Sequence, residues 1–415
     1  ILWYIFASMV GEFVTYIFLF LALYFEVFLL ISILERRGSK THEESAFTPD
    51  VCLVVPCFNE ASTVGDTVRS LLALEYPKEK LQLILVDDGS SDNTHAVIKA
   101  FESTPGSFPR VAILQKENGG KHSALNLALT QTSAIFIGCL DADSVVAPDA
   151  LKRAVGAFAD ASVAAVTPGI HVKDTHTFFQ KLQHVEYRLS IFNRSAFAAL
   201  GSVFITPGPF TIFRTDAVRD VGGWRYAHST EDMEIALRLQ EKGYKIVNNP
   251  LVTVLTSAPR TLRALFRQRV RWSYGFLRNA FDYRHILGNK KYGNLGVLIL
   301  PAALISFASG LFFALRFLWL GAIEVADSIV LATAGVSIAP TFDPFFINTS
   351  VMVMAVVAAV LLTVVLIGFG SYLSTGSRRP PLATPLFLLL YGLVVPLWLG
   401  AALIKAVRGR GVAWR

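Results

Sequence analysis

Several short polar clusters carry side chains able to do chemistry. Asp141-Ala142-Asp143 sets two carboxylates at i and i+2 behind the apolar run 134–140. Oxygen ligands of this kind suit a hard divalent cation, Mg2+ or Mn2+, that also takes a substrate's phosphate oxygens. Turns use the same tripeptide, so alone it is weak. Asp87-Asp88-Gly89-Ser90 ends a second apolar run, 81–86. A turn followed by a helix cap accounts for Ser90 or Ser91 and Asp92. It does not account for two adjacent acids at the end of a buried strand, where an unpaired carboxylate is costly. Such groups could accept from a base N–H and from ribose hydroxyls.

Lys121 follows Gly119-Gly120 and could meet a diphosphate, or be a solvated lysine at a helix start. Thr230-Glu231-Asp232 precedes a helix-like stretch, 233–242. It reads either as an N-cap with acids favoured by the helix dipole or as a general base, Asp232, aimed at an acceptor hydroxyl. Gln268-Arg269-Val270-Arg271-Trp272 lies within 261–283, where Leu262, Leu265, Phe266, Phe276, Leu277 and Phe281 recur at helical spacing between arginines. A basic amphipathic helix of this sort reads as lying on a membrane surface.

The elements that must position these groups alternate. Apolar runs at 51–56, 81–86, 111–114 and 134–140 are separated by helical stretches near 62–74, 92–102, 121–130 and 148–158. That order predicts parallel strands with crossover helices, and ligands in such sheets bind beyond the strands' carboxyl ends. Phe58-Asn59-Glu60, Asp87–Asp92, Glu117–Lys121 and Asp141–Asp143 all fall there. The three cysteines, Cys52, Cys57 and Cys139, lack metal-ligand spacing and read as reduced core residues.

Composition sets the context. The 415 residues are 53% hydrophobic and 17% charged, against about 25% charged in soluble domains. This excludes a disordered chain and a secreted disulfide scaffold, and argues against a wholly soluble enzyme. The deficit is confined to the ends: residues 35–290 hold 30 of the 38 Lys and Arg and 26 of the 31 Asp and Glu. Spans of about 20 apolar residues cross a bilayer, and 13–34, 293–315, 351–373 and 382–404 qualify. No basic region precedes the first run, so a cleavable leader is not expected.

Basic flanks at Glu35-Arg36-Arg37, Lys290-Lys291 and Arg378-Arg379 put 35–290 in the cytoplasm. The stretch 317–348, with Glu324, Asp327 and Asp343, then faces outward. The tail with Lys405, Arg408, Arg410 and Arg415 breaks the charge rule, unless one segment is re-entrant or 317–340 hides another span. Glu26, inside the first span, is either functional or a packed carboxyl. One N-terminal and three C-terminal spans are expected.

Taken in order, VVPCFNE (54–60), VDDGSSD (86–92), NGGKHSALN (118–126), DADS (141–144), TED (230–232) and QRVRW (268–272) resemble the membrane-integrated processive synthases of glycosyltransferase family 2. These include cellulose, chitin, hyaluronan and poly-N-acetylglucosamine synthases. The likeness is strongest to the bacterial poly-β-1,6-N-acetylglucosamine synthases, through NGGK-x-x-ALN, TED in place of GDD, and Ala258–Leu262 before QRxRW. It implies an α/β nucleotide-sugar domain of GT-A type, with a mixed, mostly parallel sheet, inserted between transmembrane helices. The expected domains are an N-terminal helix at 1–34, a cytoplasmic transferase domain at 35–260, an interface helix at 261–290 and a bundle of about three spans at 291–415.

The resemblance also implies roles. Glu60, Asp87 and Asp88 would hold the uridine. Lys121 and Asp141 would face the diphosphate and sugar, with Asp143 on a Mg2+ or Mn2+ ion. Asp232, beside Glu231, would take the acceptor proton. Gln268 and Arg271 would close on the diphosphate and Trp272 would lie beneath the acceptor sugar. Thr206-Pro207-Gly208-Pro209-Phe210 departs from the family's acceptor-side segment, which leaves the acceptor contacts of Gly208 and Pro209 open.

The implied reaction is metal-dependent, inverting transfer from a UDP-sugar, first UDP-N-acetylglucosamine, to a growing β-linked polysaccharide exported through the helices. Single addition to a membrane lipid is the alternative, and a transporter or receptor with a degenerate sugar-binding domain a distant third. Implied partners are the UDP-sugar, the polysaccharide or lipid-linked acceptor, the bilayer, with room for a small membrane accessory subunit, and no nucleic acid. The implied location is the plasma (inner) membrane, multi-pass, with the catalytic domain cytoplasmic.

Overall fold

The computed structural model describes residues 2–36, 47–104, 106–335 and 349–409. Arg37, Asp343, Arg410 and Arg415, used above to orient the spans, lie outside these. In chain order the elements begin with α1 (Leu2–Arg36), β1 (Val51–Cys57), α2 (Val64–Leu72), β2 (Leu81–Asp87), α3 (Thr94–Lys99), β3 (Arg110–Gln115) and α4 (Lys121–Thr130). Next come β4 (Phe136–Cys139), β5 (Ser144–Val146), α5 (Ala150–Gly156), β6 (Val163–Val172), α6 (Phe178–Ala199), β7 (Thr211–Arg214) and α7 (Thr215–Asp220). The chain then forms α8 (Glu231–Glu241), β8 (Lys245–Thr256), α9 (Leu262–Asp282), α10 (Leu300–Thr333), α11 (Val351–Thr375) and α12 (Thr384–Val407).

The strands form one eight-stranded sheet in the order β3-β2-β1-β4-β7-β6-β8-β5. β3, β2, β1 and β4 are mutually parallel, as the alternating pattern requires. β7 enters antiparallel between β4 and β6, β8 runs parallel to β6, and β5 closes the edge antiparallel to β8. The sheet is α/β, mixed and mostly parallel.

Central β1 is buried at all seven positions, as a strand covered on both faces must be. Its side chains alternate between two cores. Leu53 and Val55 pack with Val68, Leu71 and Phe136 on one face. Cys52 and Val54 pack with Ile84, Leu125 and Ile137 on the other. Truncating a side chain such as Leu53 to alanine should cost about 2–5 kcal/mol. All three cysteines are buried and free, and burial pushes the Cys52 and Cys139 thiols up to about 12.

Among the described residues, four helices are long and apolar enough to cross a membrane: Met9–Glu35, Leu295–Thr333, Val351–Thr375 and Thr384–Val407. The second differs from expectation. Residues 317–333, read as an outward-facing stretch, continue α10, so no separate span begins there. Its 39 residues would reach roughly 58 Å at about 1.5 Å per residue, against a hydrocarbon core of about 30 Å.

The sheet domain is tied to the bundle through α6, which packs on α1 and α11. A Cβ at Gly370 would fall 1.9 Å from the Arg188 carbonyl oxygen, so α11 meets α6 backbone to backbone, the contact small residues allow between helices. Beside it Arg188 Nη1 donates to Ser374 Oγ at 2.7 Å. Glu26 packs between α1 and α11 and accepts from Thr363 Oγ1 at 3.0 Å.

Candidate active site

The loops after β1, β2 and β3 are stitched to one another. Asn59, at φ 56°, accepts from the Ser91 amide at 2.9 Å through Oδ1. Its own amide donates to Ser90 Oγ at 3.1 Å. The Glu60 amide donates to Thr94 Oγ1 at 2.8 Å, and the Ala61 amide to Asp92 Oδ2 at 3.2 Å. Asp88 continues the chain of contacts. It accepts from the Gly119 amide at 3.0 Å, the Gly120 amide at 2.7 Å and Lys116 Nζ at 2.6 Å. Gly120, at φ 86°, then caps α4, and Lys121 is that helix's first residue.

Lys121 is buried. Its Nζ lies 2.5 Å from Asp141 Oδ1 and 3.4 Å from Glu231 Oε1. Burial alone would lower its pKa, but the Asp141 and Glu231 carboxylates hold the ammonium well above its ordinary value. Gly208 sits directly on this pair: a Cβ there would fall 2.1 Å from Lys121 Nζ and 2.8 Å from both Asp141 oxygens.

Asp232 opens α8. The Thr206 amide and hydroxyl both donate to its carbonyl, at 3.0 and 2.7 Å, which ties the segment with Gly208 to the base candidate. Burial first, then the Glu231 charge, raises the Asp232 carboxyl to about 7.

One face of α9 holds the turn that precedes α8. Ala227, His228 and Ser229 are three consecutive non-glycine residues at positive φ, 45°, 56° and 64°, a conformation that costs about 1–2 kcal/mol per residue. Arg271, Gly275 and Asn279 follow at i, i+4 and i+8. Arg271 Nη1 donates to the Ser229 carbonyl at 3.1 Å, and Asn279 Nδ2 to Thr230 Oγ1 at 2.8 Å. A Cβ at Gly275 would fall 2.2 Å from Thr230 Oγ1. Gly275 and Asn279 escaped the sequence reading, because small-residue contacts across distant segments leave no local pattern.

These segments enclose a cavity of about 460 Å3. Glu60, Lys121, Asp141, Asp143, Gly208 and Pro209 line it, together with Glu231, Asp232, Gln268, Arg271 and Trp272. Gln268 Oε1 is buried without a hydrogen-bond partner among the described residues. Trp272 is 38% exposed, and the Arg269 guanidinium lies 4.3 Å from its ring centroid.

Asp87 and Asp88 are not in the lining. Both are buried, and their oxygens accept from the chain itself. Asp87 Oδ1 takes the Ser90 amide at 2.9 Å, while Asp88 is filled as described.

The arginines of α9 also divide differently from a surface helix. Arg269 is buried against Glu186 at 2.6 Å, Arg271 faces the cavity, and Val270 and Tyr274 pack against Phe387 and Tyr391 of α12. The helix packs against α12 on one side and lines the cavity on another, while Arg263 and Arg267 stay exposed as a surface helix would have them.

A family model described as glycosyltransferase like family 2 matches residues 49–275. Poly-beta-1,6-N-acetyl-D-glucosamine synthase of Staphylococcus aureus is 36% identical over 228 residues, 54% of this chain and 54% of that protein. The Staphylococcus epidermidis protein of the same name is 33% identical over 243 residues, 58% of each. The chain spans about half the length of the curated relatives it matches. Among solved structures, a mannosyltransferase from Pyrobaculum calidifontis in complex with GDP-Man and Mn2+ superposes with a TM-score of 0.60 at 20% identity, covering 95% of this chain and 99% of that one. That likeness concerns the fold, which is of GT-A type.

Proposed function

The chain belongs to glycosyltransferase like family 2, and we propose that it transfers sugar from a nucleotide donor, first UDP-N-acetylglucosamine, to a growing β-linked polysaccharide at the face of a membrane bundle. The observation that carries this is the meeting, in one cavity, of the Asp232 and Glu231 carboxyls with two cations, Lys121 and Arg271; burial and the Glu231 charge push the Asp232 carboxyl up to about 7. A carboxylate with that pKa is poised to accept a hydroxyl proton near neutrality. Fixed cations stabilise charge on a departing diphosphate. The name of the staphylococcal relatives carries the poly-N-acetylglucosamine product, from which the donor is inferred; the Pyrobaculum neighbour supplies the precedent of a nucleotide-sugar with a divalent ion.

In this reading Asp232 takes the proton of the acceptor hydroxyl as its oxygen attacks the anomeric carbon from the face opposite the leaving diphosphate, which inverts the centre. Lys121, steadied by Asp141 and Glu231, faces the diphosphate. Arg271 and Gln268 close over the donor from α9. Trp272 offers an aromatic face to the apolar C–H surface of the acceptor sugar. Pro209 stiffens the acceptor loop, with Gly208 on the ion pair. Glu60 stays at the donor end, and Asp88 acts on the nucleotide through the loop it shapes, by fixing the amides of Gly119 and Gly120.

The donor set suits a divalent ion that arrives with the nucleotide. Asp143 offers carboxylate oxygen at the cavity, and no group of three or more His, Cys, Asp or Glu side chains among the described residues would hold a metal unaided. Asp143 would hold Mg2+ or Mn2+ together with phosphate oxygens. Once bound, the ion would neutralise charge developing on the diphosphate.

In this reading the transferase domain lies on the cytoplasmic side of the plasma membrane, between the N-terminal helix and the C-terminal bundle, and the polymer leaves through the helices. Incubation of the purified protein with radiolabelled UDP-N-acetylglucosamine, UDP-glucose and GDP-mannose, with product sized on a gel, tests this. High-mass product from UDP-N-acetylglucosamine supports it. Product confined to a single-sugar glycolipid moves the assignment to a lipid-directed transferase.

A further inference from the structure

One wall of the cavity takes no part in the chemistry above. Along α6, Tyr187, Ser190 and Arg194 follow at helical spacing and face the cavity. Glu186, beside them, is already committed: its Oε2 accepts from Arg269 Nη2 at 2.6 Å and from the Tyr391 hydroxyl at 2.8 Å. Arg194 has no comparable partner. Among the described residues it makes no hydrogen bond or ion pair, and its Nε is shut off from solvent with no acceptor.

Arg194 shares the cavity with the carboxylates of Asp141, Asp143, Glu231 and Asp232, but Tyr187, and none of these, is the group that offsets its burial. Burial pulls the Arg194 guanidinium down to about 10. His171 is drawn down to about 3 by burial first, then by Arg188, His184 and Arg194. Arg188 is held by a neutral hydroxyl, that of Ser374. Arg194 is half-buried overall, and its Nε, shut off from solvent without an acceptor, is the costly part of the fork. An anion whose oxygens match its planar fork removes that cost.

The same wall runs into the membrane bundle. α6 packs on α1 and α11. Phe276, which also lines the cavity, stacks on Phe307 of α10 with centroids 6.4 Å apart. Ile205 and Met233 add apolar surface to the lining. An anion that reaches Arg194 can therefore carry hydrocarbon with it.

We propose that Arg194 binds the phosphate of an amphiphilic lipid on the acceptor side of the cavity. Only the words "acceptor side" rest on the reading of the cavity as a sugar-transfer site; the phosphate site follows from Arg194 and its surroundings.

The test uses the full chain in neutral detergent, titrated calorimetrically with dodecyl phosphate, inorganic phosphate, dodecyl maltoside and UDP. Wild type should bind dodecyl phosphate at least tenfold more tightly than inorganic phosphate, and dodecyl maltoside should not compete. Arg194→Gln should weaken dodecyl phosphate at least tenfold while leaving UDP affinity and the melting temperature unchanged. Arg194→Lys, which keeps the charge but loses the fork, should fall between. Equal binding of dodecyl phosphate by wild type and Arg194→Gln overturns the proposal. So does a parallel loss of UDP binding, which would hand Arg194 to the donor, or a wild type that binds inorganic phosphate as tightly as dodecyl phosphate, which would make this a free-anion site. Wild type that binds dodecyl phosphate but not UDP supports the phosphate site while contradicting the transferase reading.

Discussion

Gly208 lies against the Lys121–Asp141 ion pair so closely that a Cβ on it would sit 2.1 Å from Lys121 Nζ. No side chain fits there without moving the ammonium. Because Nζ ends a flexible stem, the fold can absorb the displacement, but the site cannot. Gly208→Ala should leave the unfolding temperature within about 2 °C of wild type, since the change is local, and lower turnover roughly 100-fold, the scale of an ångström-level misplacement. Sugar-transfer kinetics beside a melting curve check both halves.

The pH profile follows from Asp232. Its carboxyl is raised to about 7, so the proton-accepting form is lost as pH falls below that value. Turnover should drop about tenfold per unit in the acid limb. Stability moves the opposite way. Between the ordinary carboxyl range and 7, the unfolded chain has released a proton the folded chain still holds, so stability falls as pH rises through that window. Asp232→Asn, which never ionises, should lack this component; melting temperatures of both proteins at pH 5 and pH 8 read it directly.

Asn279 and Gly275 hold the strained turn at Ala227–Ser229 against α9. Asn279→Ala removes the amide that donates to Thr230 Oγ1 at 2.8 Å, at a cost of about 1 kcal/mol in stability. Its larger effect should fall on kcat, with the donor KM nearly unchanged, because the turn leads into Asp232 and Lys121 stays in place. Gly275→Ala, which drives a methyl into Thr230, should share this signature.

Glu186 neutralises Arg269, which is 4% exposed. Glu186→Ala leaves that guanidinium buried and unmatched, at roughly 3 kcal/mol, and removes the acceptor of the Tyr391 hydroxyl on α12. Thermal unfolding in detergent should show the loss. Glu186→Gln should recover part of it.

Much of this arrangement was legible from the chain. The β1, β2, β3 and β4 runs were visible because buried parallel strands are continuously apolar and their ends carry the polar groups. Glu60, Lys121, Asp141, Asp143 and Asp232 were visible as candidates because short motifs at strand and helix ends converge in such a sheet; Arg271, in the middle of α9, stood out only through the likeness carried by QRVRW. β7 was not visible: four residues inserted antiparallel between β4 and β6 have no period of their own. The burial of Asp87 and Asp88 was legible from the strand before them, but their partners, the amides of Ser90, Gly119 and Gly120 and the Lys116 ammonium, were not, because each pairing depends on how the loops meet in space. The length of α10 was hidden because Glu324 and Asp327 look like the start of a loop, yet two acids near the end of a long helix do not interrupt it. The contacts of Gly208, Gly275 and Gly370 depend on approach in space, and a glycine in a sequence does not say what it touches.

The central claim is that Asp232 is the base of a sugar transfer for which the rest of the cavity binds the donor. The most direct measurement pairs donor affinity with turnover in Asp232→Asn. The account predicts UDP-N-acetylglucosamine affinity within about threefold of wild type, and product formation reduced by at least 1,000-fold, within the range lost when a general base is removed. Product formation at near wild-type rate in Asp232→Asn, with donor bound as before, would contradict it.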